Sequence, residues 1–183
     1  MSDAEKMRSW ARIVDTEARL FRENGIGATS LSDVMVAAGM THGGFYRHFP
    51  SREALVEAAF AKAADDQLSG VEQAENAAAW QAALRAYIAR YLSLGHVRSA
   101  GLGCPIATLG AEVAKLNGPA AEAVSDAVAR TAAVLDDGGD GVAMLALLVG
   151  TVNVARLATS DADAARIIAA GHAALAAMRA GET

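Results

Sequence analysis

The chain has 183 residues, 53% apolar and 20% charged, with a net charge of −5. That length suits one ordinary domain or two small ones, and the composition supplies a real core while excluding a disordered or collagen-like chain. A single cysteine excludes an intramolecular disulfide and suits a reducing compartment.

The charge is unevenly placed. Residues 1–60 hold seven Lys and Arg against eight Asp and Glu, and the remainder holds nine against thirteen. The N-terminal third is therefore nearly neutral, and any positive patch there must come from arrangement rather than from total charge. Met1-Ser-Asp-Ala-Glu-Lys does not resemble a secretory signal. The apolar run near Val142–Val152 is too short and too interrupted by glycine to span a bilayer. A cytoplasmic protein without a membrane partner is expected.

Taken in chain order, the sequence reads as helices throughout. Over residues 4–24, Met7, Trp10, Ala11, Val14, Ala18 and Phe21 recur at three- and four-residue steps, and Gly25 stops the helix. Lys6, Arg8, Arg12 and Arg19 occupy its polar face, read first as solvated ion pairs and second as phosphate contacts for Lys6 or Arg8. A second helix opens at Ser30, with Leu31, Val34 and Ala38 as its apolar stripe and Asp33 at its positive end. Gly39 closes it with a positive φ. Thr41 then offers another N-cap, and Phe45 and Phe49 point inward. Thr41, His42, Gly43, Tyr46, Arg47 and His48 are left on or near the outer face. Two short helices with a tight turn, the second bearing polar, aromatic and cationic side chains, form a helix-turn-helix suited to a major groove.

The stretch resembles the DNA-binding domain of the TetR family of transcriptional repressors over roughly residues 8–60. The residues that carry the resemblance are Gly25-Ile-Gly-Ala-Thr-Ser30, the Ala-Ala-Gly turn at 37–39, Phe45-Tyr-Arg-His-Phe49 and Ser51-Arg-Glu-Ala-Leu55. Pro50, between Phe49 and Ser51, departs mildly from the usual pattern. The resemblance implies a repressor that binds operator DNA as a dimer, with the basic residue after the turn, here Arg52, on backbone phosphate. Thr29 and Ser30 are expected to donate hydroxyls to phosphate at a helix start. Tyr46 and His48 are expected on phosphates, and His42 and Arg47 on base edges, with Arg47 suited to guanine. Gly43-Gly44 costs about 1 kcal/mol per glycine relative to alanine in a helix. Close backbone approach to DNA at Gly43 offsets that cost, with Gly44 expected near the first helix.

From Ser51 a helix runs to about Ser69 and links the head to the remainder of the chain. Further helices are expected at roughly 76–94, 105–116, 119–135, 140–158 and 161–179, with 95–103 a loop and Pro105 in a first turn. The whole is an all-α protein of about nine helices: a three-helix head over 1–50, and a ligand-binding and dimerisation domain over 51–183. The helix 140–158 is apolar on nearly every side, so it must be covered. Pairing with residues 161–179 of a second copy supplies that cover, as the resembled family dimerises through its last two helices.

Phe60, Trp80, Leu84, Tyr87, Tyr91, Met144 and Leu148 are expected to face one another, as core or as the lining of an effector pocket. The effector is then small, largely apolar and neutral or weakly charged. Cys104, at an expected helix start, reads either as a small buried hydrophobe or as an electrophile-sensitive thiol whose pKa the helix dipole lowers. The four histidines lack metal-ligand spacing, and no phosphate loop, cofactor fingerprint or thiol-hydrolase constellation appears. A non-enzymatic, cytoplasmic and nucleoid-associated bacterial repressor is expected, needing no cofactor and released from its operator by an effector or by modification of Cys104. The alternative is a helical protein-interaction module.

Overall fold

A computed structural model describes residues 2–115 and 117–180, apart from the side chains of His42 and Ala100. Ten α-helices and one 3-10 turn make up its regular structure, with no strand among the described residues. The first helix, α1 (Asp3–Asn24), starts on a reciprocal cap. The Ser2 N–H donates to Glu5 Oε2 at 2.6 Å and the Glu5 N–H donates to Ser2 Oγ at 3.3 Å. A second such box, Ser30 with Asp33, opens α2 (Leu31–Ala37), and Gly39 turns the chain at φ 65°. The next helix, α3 (His42–Phe45), has only four helical residues before the chain relaxes into turns through 46–48. It is shorter than the apolar spacing of Phe45 and Phe49 implies, because Gly43-Gly44 gives a short helix no propensity to extend.

Ser51 caps the long α4 (Arg52–Glu72), its Oγ accepting the Ala54 N–H at 3.2 Å. Three helices then follow: α5 (Ala77–Tyr91), the short α6 (Leu94–Arg98), and α7 (Pro105–Val113) after a 3-10 turn at Ala100–Leu102. The expected loop over 95–103 is thus half helical, since Ser93 caps α6 by accepting the His96 N–H. The chain ends in α8 (Pro119–Leu135), α9 (Gly141–Arg156) and α10 (Asp161–Ala180).

Three packed clusters run from one end of the molecule to the other. In the head, Ile13 and Val14 of α1 meet Val34, Met35 and Ala38 of α2, together with Phe45, Phe49 and Leu55. The first turn of α4 therefore belongs to the head's core. Met7 and Trp10 were expected on the buried stripe of α1, yet they are 68% and 40% exposed, Trp10 covering Phe49 from the outside. In the middle, Ala18 and Phe21 of α1 pack with Phe60 and Ala63 of α4, Leu109 and Val113 of α7, and Ala127 of α8. The largest cluster fills the C-terminal part, from Leu84, Tyr87 and Tyr91 through Cys104 to Met144, Leu148 and Val152.

Two glycines allow close helix crossings. A Cβ on Gly141 would lie 2.1 Å from the Ala132 carbonyl oxygen of α8, and one on Gly171 would lie 2.5 Å from Thr151 of α9. Within one chain, α9 is covered on one side only, and the cover expected from a second copy falls on the other. Met144, Leu145, Leu148, Val152 and Ala155 are buried, whereas Val142 is 74%, Val154 53% and Leu157 81% exposed, because one chain's helices cover only one side.

Candidate functional site

The head presents an exposed surface built on buried anchors. Phe45 and Phe49 are 1% and 3% exposed and stack with ring centroids 5.6 Å apart. Trp10 stacks on Phe49 at 6.0 Å. These rings fix the direction of the residues between them. Tyr46 is 65% exposed, with its ring edge against Phe45 at 5.0 Å. Arg47 is exposed, and so is Gly43, around which a Cβ would find nothing within 4 Å. Thr41 is exposed, and its hydroxyl makes no cap hydrogen bond. The His42 side chain lies outside the described residues. Gly44, expected near the first helix, instead faces Met40 and Thr41.

Several phosphate-contact expectations require correction. Thr29 is 2% exposed, and its hydroxyl donates to the Gly25 carbonyl at 2.8 Å, so it is a loop staple rather than a surface donor. Ser30 and Asp33 close on each other through their side chains at 2.6 Å. The anion site at the start of α2 is thereby filled by the chain's own carboxylate, which those Ser30 hydrogen bonds hold below its usual range. Arg52 turns inward, donating from Nη2 to the carbonyls of Ile26 at 2.6 Å and Thr29 at 2.5 Å. It clamps the loop between α1 and α2. His48 is half-buried with Nδ1 enclosed and unpartnered. Burial, with Lys6 and Arg47 beside it, pushes its pKa down.

Glu17, not singled out by the sequence pattern, is 1% exposed, and its Oε2 has no partner. Burial pushes its carboxyl up to about 8, against the opposing pull of Arg52. With Glu17 held protonated, the acidic excess of residues 1–60 disappears at neutral pH. The only sequence signal for it was a glutamate among positions flanked by Ile13, Val14, Ala18 and Phe21.

In the C-terminal part, Leu84, Tyr87, Tyr91, Cys104, Met144 and Leu148 come together in one cluster, with Trp80 packed on its edge. Phe60 does not join them, and packs with Phe21 in the middle cluster instead. A cavity of about 390 Å³ opens beside this cluster, lined by Gln67, Arg90, Tyr91, Ser93, His96 and Leu102 among others. Of the expected pocket residues, only Tyr91 lines it.

Cys104 is 3% exposed, and burial pushes its thiol up. The Tyr91 hydroxyl, the Ala107 and Ile106 N–H groups and Arg156 all pull the other way. The expected lowering by the helix start is thus present but outweighed by desolvation. His96 does reach this cysteine: its Nε2 accepts the Cys104 N–H at 3.0 Å, while Nδ1 donates to the Tyr91 carbonyl at 2.6 Å. Arg98 does not, and pairs with Asp161. Arg156 was not foreseen, although a lone arginine ending the apolar run of α9 is a signal in itself.

Two ties join this region to the head. Arg22 of α1 is buried and donates from Nε to the Gly101 carbonyl at 2.7 Å. The Gly27 N–H donates to Glu112 of α7 at 3.1 Å.

These features define a class, the two-part all-α protein with a helix-turn-helix head. Residues 13–59 match the model for bacterial regulatory proteins of the tetR family. Among curated proteins, the A-factor receptor protein of Streptomyces griseus is 35% identical over 69 residues, covering 38% of this chain and 24% of that protein. The transcriptional repressor KstR2 of Rhodococcus jostii is 42% identical over 45 residues, covering 25% of this chain and 22% of that one. The chain thus spans less than a quarter of the length of these relatives. A TetR-family transcriptional regulator from Agrobacterium tumefaciens shares the fold, with a TM-score of 0.70 at 21% identity over 90% of this chain and 96% of that chain. Residues 13–59 thus match the tetR family, and the chain as a whole has the fold of the Agrobacterium regulator.

Proposed function

We propose that the protein is a one-component transcriptional repressor that binds a palindromic operator in double-stranded DNA as a homodimer. The observation that carries this reading is the exposed Gly43, Tyr46 and Arg47 surface, held in place by the buried Phe45 and Phe49. This short helix and the turn after it present an open backbone and a cation to a major groove, and two copies read two half-sites. Thr41, His42 and His48 complete the contact surface. Thr29, Ser30 and Arg52 act behind it by holding the loop and helix starts.

Dimerisation runs through α9 and α10 of each copy. Support comes from exposed Val142, Val154 and Leu157, the open Gly150, and the exposed alanines 169, 170 and 173 of α10. An apolar face on two adjacent long helices fits an isologous four-helix contact. Residues 1–50 form the DNA-binding unit and 51–183 the effector and dimerisation unit, with α4 as the link. The protein works in the bacterial cytoplasm, on the nucleoid.

Release from DNA follows binding of a small, largely apolar effector in the C-terminal part. A coupling of about 1–3 kcal/mol between effector and operator suffices. Release by modification of Cys104 is the second reading, favoured by the tyrosine hydroxyl and two backbone N–H groups directed at its sulfur.

Operator selection from random duplexes, with wild type and Arg47→Ala, tests the reading. Wild type selects a palindrome, and Arg47→Ala weakens binding by about 1–3 kcal/mol at the position it reads. Salt dependence separates this from a protein-interaction module, since only a DNA reader loses affinity steeply as salt rises. Failure to select any sequence at low salt would overturn it. Release by a mild electrophile that persists in Cys104→Ala would remove the second reading.

A further inference from the structure

Hydrogen-bond donors without acceptors gather in one place in the C-terminal part. The Tyr87 and Tyr91 side chains are 3% and 1% exposed, and neither hydroxyl has an oxygen or nitrogen partner. Their rings lie 5.6 Å apart, and the Tyr91 hydroxyl has the Cys104 thiol beside it, a poor acceptor. Nη2 of Arg156 is buried and unpartnered as well. The rest of that guanidinium donates to the carbonyls of Val97 and Ala107 and to Thr108 Oγ1. Among the described residues, no carboxylate pairs with it, and the only acidic groups that act on it are the Tyr91 and Cys104 side chains.

Gly103 lets the backbone pass close to this spot. A Cβ on Gly103 would lie 3.1 Å from Arg156 Nη2 and 2.8 Å from His96 Nε2. His96 and Tyr91 are also walls of the 390 Å³ cavity, which therefore adjoins this cluster. Leu84, Met144, Leu148 and Val152 surround the cluster with apolar surface.

A half-buried cation with no carboxylate partner, beside the Tyr91 hydroxyl and near a second enclosed hydroxyl on Tyr87, is complementary to one negative charge on acceptor oxygens. A doubly charged phosphate would leave a charge uncompensated in apolar surroundings. The apolar core residues around the donors favour an apolar body next to the charge, and the adjoining cavity has the size of ordinary small-ligand sites. We infer that Tyr87, Tyr91 and Arg156 form the head-group site for a small monocarboxylate with a compact apolar body, entering from the cavity beside Tyr91 and His96. As the identity of the effector this rests on the repressor reading, and it changes the expected ligand from neutral or weakly charged to anionic.

The test is calorimetric titration of the full chain at pH 7.5 with benzoate and cyclohexanecarboxylate, each against its neutral amide. Each acid should bind about tenfold tighter than its amide, the scale of one charge-assisted hydrogen bond. Tyr87→Phe removes an unpartnered hydroxyl and Tyr91→Phe one that meets only the Cys104 thiol, so both should fold as wild type while losing most of that preference. Arg156→Met should abolish it. Equal binding of acid and amide, no binding of either acid at millimolar concentration, or unchanged preference in both Phe variants would overturn the inference. Operator binding is measured separately. A protein that selects an operator but ignores carboxylates has lost only this inference. One that prefers carboxylates but selects no DNA has lost only the repressor reading.

Discussion

Glu17 offers the most quantitative test of the head's construction. Its carboxyl is enclosed on α1 with Oε2 unpartnered, and it holds its proton up to about pH 8, against 4.5 for an ordinary glutamate. The folded head thus binds one more proton than the unfolded chain between those two values, so stability falls as pH rises through that window. At 1.36 kcal/mol per pH unit, a single group with these two pKa values removes about 3 kcal/mol between pH 5.5 and 8.0. Glu17→Gln is isosteric with the protonated acid and has no proton to lose. It should match wild type within about 1 kcal/mol at pH 5.5 and exceed it by roughly 3 kcal/mol at pH 8.0. Urea unfolding at both pH values, followed by circular dichroism, measures the difference between variant and wild type. That subtraction cancels the titration of His48 and His96. If Glu17→Gln were instead less stable than wild type at pH 8.0, the carboxylate would be ionised and paired with Arg52, and the argument would be wrong.

Two glycine substitutions probe opposite situations. Gly43→Ala meets open space in a short helix, so the free protein should gain up to about 1 kcal/mol, read as a higher melting temperature. If DNA approaches this backbone, operator affinity should nonetheless fall; unchanged affinity would remove the close-approach account. Gly141→Ala drives a methyl into the Ala132 carbonyl where α8 meets α9. It should cost about 1–3 kcal/mol or more in urea unfolding, and a neutral result would mean that the two helices separate easily.

How much could be read from the sequence depends on the range of the interaction. Helix starts are local, so Ser30 with Asp33, Ser51, Pro105 and Pro119 each stood where the structure begins a helix. The inward direction of Phe45 and Phe49 is also local, set by their four-residue spacing. The destinations of long polar side chains are not. Arg52 looked like a phosphate ligand from its place in a first turn, yet carbonyls 23 and 26 residues earlier in the chain hold it. Arg156 reaches carbonyls 49 and 59 residues away, a pairing no periodicity encodes. Phe60 had the right face of α4 but the wrong height along it, which puts it against Phe21 rather than among the tyrosines. The helix in 94–98 was hidden by two nearby glycines, whose low propensity a single serine cap offsets.

The middle cluster also bears on how such proteins are recombined in the laboratory. Phe21 and Ala18 of α1 share a core with Phe60, Leu109, Val113 and Ala127, and Arg22 reaches the Gly101 carbonyl from the same stretch of helix. A cut at residue 50 therefore does not free a cassette. It leaves half of α1 without its packing partners and a guanidinium without its acceptor. A chimera that moves this head onto another C-terminal part must carry matching residues in α4, α7 and the 100–104 turn along with it. Transplants that respect only the order of the chain should yield proteins that melt at lower temperature than either parent.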